Sequence, residues 1–114
     1  MVIQRGDIWW ASLEEPQGSS PGYTHPLVIV QADGFNKSRI NTIIGLVVTS
    51  NLHLAEAPGN VFLEKAISGL PKDSVANISQ IVTIDKSYLC EKASHLPKAV
   101  LAEISEGLKL VLAL

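Results

Sequence analysis

At 114 residues, with 46% hydrophobic and 18% charged side chains, the chain has the length of one domain and too much apolar content for a disordered one. Nine basic against eleven acidic residues give a net charge of −2, which argues against a binder working through an overall positive field. Cys90 is the only cysteine, so no intramolecular disulfide forms and a reducing compartment is expected. No basic-then-apolar leader opens the sequence and no apolar run approaches about 18 residues, so the expected location is the cytoplasm.

Residues 7–13 read as the first strand, with Trp9 and Trp10 on opposite faces. Ordinary packing is the expected role of both, one in the core and one on the second face. Residues 14–22 hold two Pro, two Gly and two Ser and read as an exposed loop. Residues 27–30, Leu-Val-Ile-Val, form a continuous apolar run, the mark of a strand buried on both faces. Pro26 cannot donate to a ladder, so it belongs at the strand's first residue, and it holds His25 extended. His25, a side chain able to titrate near neutral pH, is thereby presented at the strand entrance.

Asp33-Gly34 ends this strand in a turn, and residues 33–39 follow as a short helical turn. Residues 43–49 are again nearly all apolar, a central strand in which Gly45 permits a bend. That strand ends in Thr49, Ser50 and Asn51, a cluster of hydroxyl and amide groups that can cap a turn or hold a phosphate. Between residues 17 and 55 the only acid is Asp33, against Lys37, Arg39, His25 and His53. Local surface there is neutral to basic despite the acidic total.

Residues 53–60 read as a loop closed by Pro58-Gly59-Asn60, residues 61–64 as a short strand, and residues 68–73 as a turn. Strands are expected over 74–78 and 80–84. Short strands separated by turn clusters indicate a small closed or half-closed barrel. From Pro97 the pattern changes: Val100, Leu101, Ile104, Leu108, Val111 and Leu112 recur at helical spacing. Pro97 suits a first-turn position, and the helix's apolar face would cover one barrel opening or a partner subunit. Cys90 reads as a small buried or half-buried side chain, and His95 as structural.

The acids are scattered, and His25, His53 and His95 match no common zinc spacing. There is no phosphate loop, dinucleotide fingerprint or nucleophile elbow. If the chain is an enzyme, the residues favour one without metal or cofactor.

Five segments in order carry a family resemblance: Arg5-Gly6-Asp7-Ile8-Trp9, Pro26-Leu27-Val28-Ile29-Val30-Gln31, Phe35-Asn36, Val48-Thr49-Ser50, and the run from Asn77 to Lys86. Together they resemble the MazF/PemK toxins over nearly the whole chain. The resemblance implies one toxin domain over residues 1–114, a mostly β, small SH3-like barrel of the PemK/CcdB type with a short helix and a C-terminal α-helix. It implies a homodimer that cuts single-stranded RNA at short sequences without a metal and is neutralised by an antitoxin, with the 14–22 loop bordering the RNA groove.

Carried over by position, the family's catalytic threonine is Thr49, with Ser50 beside it, and its catalytic arginine is replaced by His25. The neighbouring basic position is Thr24, and a further arginine of some relatives is Val82. Asn51, His53, Asn77, Ser79 and Gln80 are the remaining expected RNA contacts, with Lys37 and Arg39 as further candidate phosphate contacts. A histidine, with a reference pKa of about 6.5, gives phosphate no constant charge but can serve as a base. Two alternatives follow: an attenuated toxin working mainly through antitoxin and operator complexes, and a gyrase-poison-like binder. The ending Leu112-Ala113-Leu114 lacks the Trp-Gly-Ile-like terminus of the latter.

Overall fold

Strand β1 (Asp7–Glu14) enters first, in a computed structural model that describes residues 2–14 and 23–114. Strand β2 (Tyr23–Ile29), the short helix α1 (Asp33–Asn36) and strand β3 (Thr42–Thr49) follow. A 3-10 turn (Leu52–Glu56) leads to strand β4 (Val61–Leu63), the short helix α2 (Lys65–Ser68) and the long strand β5 (Ser74–Asp85). Strand β6 (Leu89–His95) and helix α3 (Lys98–Leu112) complete the chain. The strands form one sheet in the order β4-β5-β3-β2-β1-β6, with every pair antiparallel. The sheet curls into a half-barrel with α3 across it. Residues 15–22, most of the expected 14–22 loop, lie outside the described residues.

Pleat alternation divides the apolar residues into two clusters. Ile8, Val28 and Leu46 are cross-strand neighbours, and they pack with Ile78, Leu96 and Ile104 beneath α3. Trp9, Leu27 and Val47 are neighbours one residue along, and they pack on the other face with Ile29, Ile43 and Leu89. Leu27, Val28 and Ile29 are fully buried, so the run does occupy both faces. Each such side chain contributes roughly 1.5–3 kcal/mol of hydrophobic stabilisation. The two tryptophans divide as expected: Trp9 is buried in the second cluster, and Trp10 is half-buried against the first.

Two polar knots fix the ends of this sheet. Asp7 is fully buried and accepts from the Gln4 N–H (2.8 Å) and the Trp9 indole N–H (3.1 Å). It also pairs with His95 Nδ1 at 2.7 Å and Lys92 Nζ at 3.3 Å. Burial pushes the Asp7 carboxyl up, but the Gln4, His95 and Trp9 hydrogen bonds and the Lys92 charge outweigh it and hold the group below its ordinary value. The Arg5 guanidinium donates to the Val30 carbonyl (3.0 Å) and to Ser105 Oγ (3.1 Å), tying the amino-terminal segment to α3.

Several sequence expectations need correction. The expected strands 74–78 and 80–84 are one strand, β5, whose interruption is a register shift: Leu46 pairs with Ile81 but Val48 with Ala76. Such a bulge kinks a strand without ending it. Gly45 has a further reason to be glycine, since a Cβ there would lie 3.1 Å from the Val28 carbonyl oxygen. Cys90 is exposed because β6 is an edge strand. Pro97 is the N-cap of α3 rather than a first-turn residue. Of the expected apolar face of α3, Ile104 is buried in the core, whereas Val111 and Leu112 are exposed in the single chain, so these two do not cover the barrel opening.

Candidate active site

Pairing between β2 and β3 runs through Ile29↔Gly45, Val28↔Leu46 and Leu27↔Val47 and stops there. The next residue, Pro26, has no N–H to continue the ladder. His25 and Thr49 each lie two residues beyond the last pair. Beyond the last pair the strand ends border a cavity of 480 Å³, within the range of small-ligand sites. Thr24, His25 and Pro26 line it from β2, and Val48, Thr49 and Ser50 from the end of β3. Trp10 of β1 closes a third side.

The fourth side comes from the turn after α2, through Leu70, Pro71, Lys72 and Ser74. The sequence folds tightly there for local reasons. Gly69, with φ of +73°, ends α2 in the left-handed region, and a Cβ on it would lie 2.7 Å from the Ala93 carbonyl oxygen; only glycine fits. The Leu70 N–H donates to Ser68 Oγ, and Asp73 Oδ1 accepts the Lys65 N–H.

The cavity's polar groups are hydroxyls, one imidazole and one ammonium, and no carboxylate is among its described lining residues. Thr49 Oγ1 accepts the Asn51 N–H at 3.1 Å, which leaves its own proton to donate outward. A second concavity of similar size, 500 Å³, lies between Gly59–Val61 and α3, but Glu103 and Glu106 line it. Two carboxylates make that groove unfit for a phosphate. Among the described residues no group of three or more His, Cys, Asp or Glu side chains could hold a metal ion.

Of the residues expected to act, Thr24, His25, Thr49 and Ser50 come together here. The others do not line this cavity. Asn51 caps the 3-10 turn by accepting the His53 N–H at 3.2 Å, and His53 is exposed. Asn77, Ser79 and Gln80 form their own patch at the β5 bulge: Asn77 Nδ2 donates to Gln80 Oε1, and Ser79 Oγ donates to Asn77 Oδ1. Asn60 joins them, donating to Asn77 Oδ1 and accepting the Ile78 N–H. Sequence reasoning passed over Lys72, whose only local signal is a turn, and gave Trp10 a packing or interface role rather than a place in the site.

A family model described as "PemK-like, MazF-like toxin of type II toxin-antitoxin system" matches residues 4–112. The chain belongs to the PemK/MazF toxin family. Among its relatives, Endoribonuclease MazF6 of Mycobacterium tuberculosis is 44% identical over 112 residues, 98% of each chain. Endoribonuclease MazF of Staphylococcus epidermidis is 38% identical over 113 residues, 99% of this chain and 93% of that protein. The fold matches a solved mycobacterial endoribonuclease in complex with its cognate antitoxin, at a TM-score of 0.75 and 19% identity, over 99% of this chain and 95% of that one. The six-stranded sheet and the C-terminal helix α3 are thus the architecture of a PemK/MazF toxin. No helix among the described residues is long and apolar enough to cross a membrane.

Proposed function

We propose that this protein is a PemK/MazF-type endoribonuclease toxin, one domain over residues 1–114, that cuts single-stranded RNA in the cytoplasm without a metal ion. It acts as a homodimer and is neutralised by a cognate antitoxin. The observation that carries the reading is the cavity between the β2 and β3 ends, which gathers Thr24, His25, Thr49 and Ser50 with no carboxylate among its described lining residues. Relatives named as endoribonucleases over the full chain length support it.

The chemistry follows from those groups. The His25 imidazole takes the ribose 2′-hydroxyl proton, the 2′-oxygen bonds to phosphorus, and the bond from phosphorus to the 5′-oxygen breaks. The leaving 5′-oxygen takes a proton from water. Thr49, already accepting from Asn51, donates its hydroxyl proton to a phosphoryl oxygen as charge builds there. Ser50 and Thr24 supply further hydroxyls. Asn51, His53, Asn77, Ser79 and Gln80 extend the RNA contact surface beyond the cavity.

Incubating the purified protein with long RNA in EDTA and mapping the new 5′ ends tests this. Cleavage at a recurring short sequence, abolished in His25→Ala, is the expected result. A second reading, a toxin attenuated in cleavage but retaining antitoxin binding, is favoured by His25 standing where the family resemblance places an arginine. Antitoxin binding with no cleavage at any pH would select it.

A further inference from the structure

Among the cavity residues with no part in the chemistry above are an aromatic ring and a cation: Trp10 on β1 and Lys72 on the turn after α2. We propose that they bind one splayed nucleotide of the RNA, its base stacked on the Trp10 indole and its phosphate paired with the Lys72 ammonium. The inference rests on the RNA-cleaving reading and names the groups that position the strand for it.

Trp10 has the makings of a stacking platform. It is half-buried, packed against the core cluster beneath α3, and it lies across the ladder from Pro26. The side chain thus packs against the core and also lines the cavity. Its neighbour Trp9 is spent on the opposite face, 6% exposed and bonded through its indole N–H to Asp7. Single-stranded RNA is commonly read by unstacking a base onto an aromatic side chain, which every base permits. The cavity volume of 480 Å³ suits a single nucleotide.

Lys72 supplies what the other lining groups lack. Among the described lining residues it is the one permanent cation. A phosphodiester is an anion at every working pH, whereas the His25 imidazole must be neutral to act as a base. Lys72 forms no ion pair among the described residues, and its neighbour Asp73 is occupied by the Lys65 N–H. Its backbone is also held: Ser74 Oγ donates to the Lys72 carbonyl (3.0 Å), and buried Leu70 anchors the same turn. A lysine on such a turn reaches a phosphate without first ordering a loop.

The test uses the full chain and an RNA oligonucleotide carrying the mapped cleavage sequence, unmodified for kinetics and with a single 2′-deoxy substitution at the cut for the binding measurements. Wild-type tryptophan fluorescence should be quenched on binding. Trp10→Leu should weaken binding and raise KM by about 5- to 100-fold, with kcat less affected, and Trp10→Phe should recover most of the loss. Lys72→Gln should reduce the slope of log affinity against log salt by about 0.7, and Lys72→Arg should restore it. Lys72→Gln and Trp10→Phe keep the assignment testable if Trp10→Leu fails to fold. Wild-type KM, salt slope and cleavage pattern in Lys72→Gln and Trp10→Leu would overturn it, as would loss of antitoxin binding with RNA binding unchanged. A wild-type protein that neither binds nor cuts RNA would overturn the endoribonuclease reading itself.

Discussion

Replacing Gly107 with alanine sets helix propensity against packing, and the structure says which wins. Gly107 lies buried within α3, where alanine is intrinsically better by about 1 kcal/mol. A Cβ there, however, would sit 2.3 Å from the Gly59 carbonyl oxygen and 3.0 Å from Ile78 Cγ1. The nearer atom is backbone, so relief requires moving either α3 or the turn before β4. That turn is held by Asn60, which donates to the Leu54 carbonyl and accepts the Ile78 N–H. Overpacking costs about 1–3 kcal/mol, and weakening two hydrogen bonds adds about 1 kcal/mol each. After the propensity gain the net loss is about 3 kcal/mol, which for a domain of this size lowers Tm by roughly 9–18 °C. Gly34→Ala provides the control, since Gly34 lies in α1 and a methyl group added to it would meet nothing within 4 Å. It should leave Tm unchanged or raise it slightly. Thermal unfolding followed by circular dichroism decides the matter: a Gly107→Ala protein as stable as wild type would mean that α3 does not rest on Gly59.

Asp7 carries a signed pH dependence. Its folded carboxyl lies below the ordinary value, so its stabilisation is complete above the unfolded pKa of about 3.9 and is lost as pH falls through the folded one. The urea midpoint of wild type should therefore fall below about pH 4, while Asp7→Asn should start lower at pH 7 and vary less over that range; parallel curves would contradict this. Asn36→Ala should cost about 2–3 kcal/mol, because Asn36 donates to the Gln31 carbonyl and accepts from its buried side-chain amide; denaturant titration would show no change if water replaced these bonds. His25→Arg should keep RNA binding but flatten the pH profile of any cleavage that remains, since guanidinium is always protonated. An unchanged profile would remove His25 from proton transfer. Thr49→Val keeps the side chain's shape but removes its donor, so kcat should fall by about 10- to 100-fold with KM nearly constant; a wild-type kcat would place charge stabilisation elsewhere.

What the sequence makes legible follows from how local each signal is. The β2 core announces itself because Leu27, Val28 and Ile29 are buried on both faces, and the helical spacing through Ile104 marks α3. Strand β6, Leu-Cys-Glu-Lys-Ala-Ser-His, has no such pattern. It is a strand because β1 offers it a ladder from Asp7↔His95 onward, a non-local cause that a window of residues cannot show. The site divides in the same way. Thr49 ends β3 and His25 precedes the apolar run of β2, places that a periodicity reading can find, and both line the one cavity. Lys72 is invisible by comparison, because its relevance comes from where Gly69 and α2 place the turn.

The strand order has a consequence for how the protein is made. β1 sits between β2 and β6, so its second ladder waits until Leu89 and its successors have left the ribosome. About 80 residues separate the two strands, which at 5–20 residues per second takes about 4–16 s. Until then Trp10 sits on an unfinished sheet border, and α3, which covers the core beneath it, has not been made. Stalled nascent chains ending before residue 89 should be cut readily by protease, and complete chains should resist. A protein proposed to destroy messages thus has an unfinished sheet border beside Trp10 while the first 88 codons of its own message are being read.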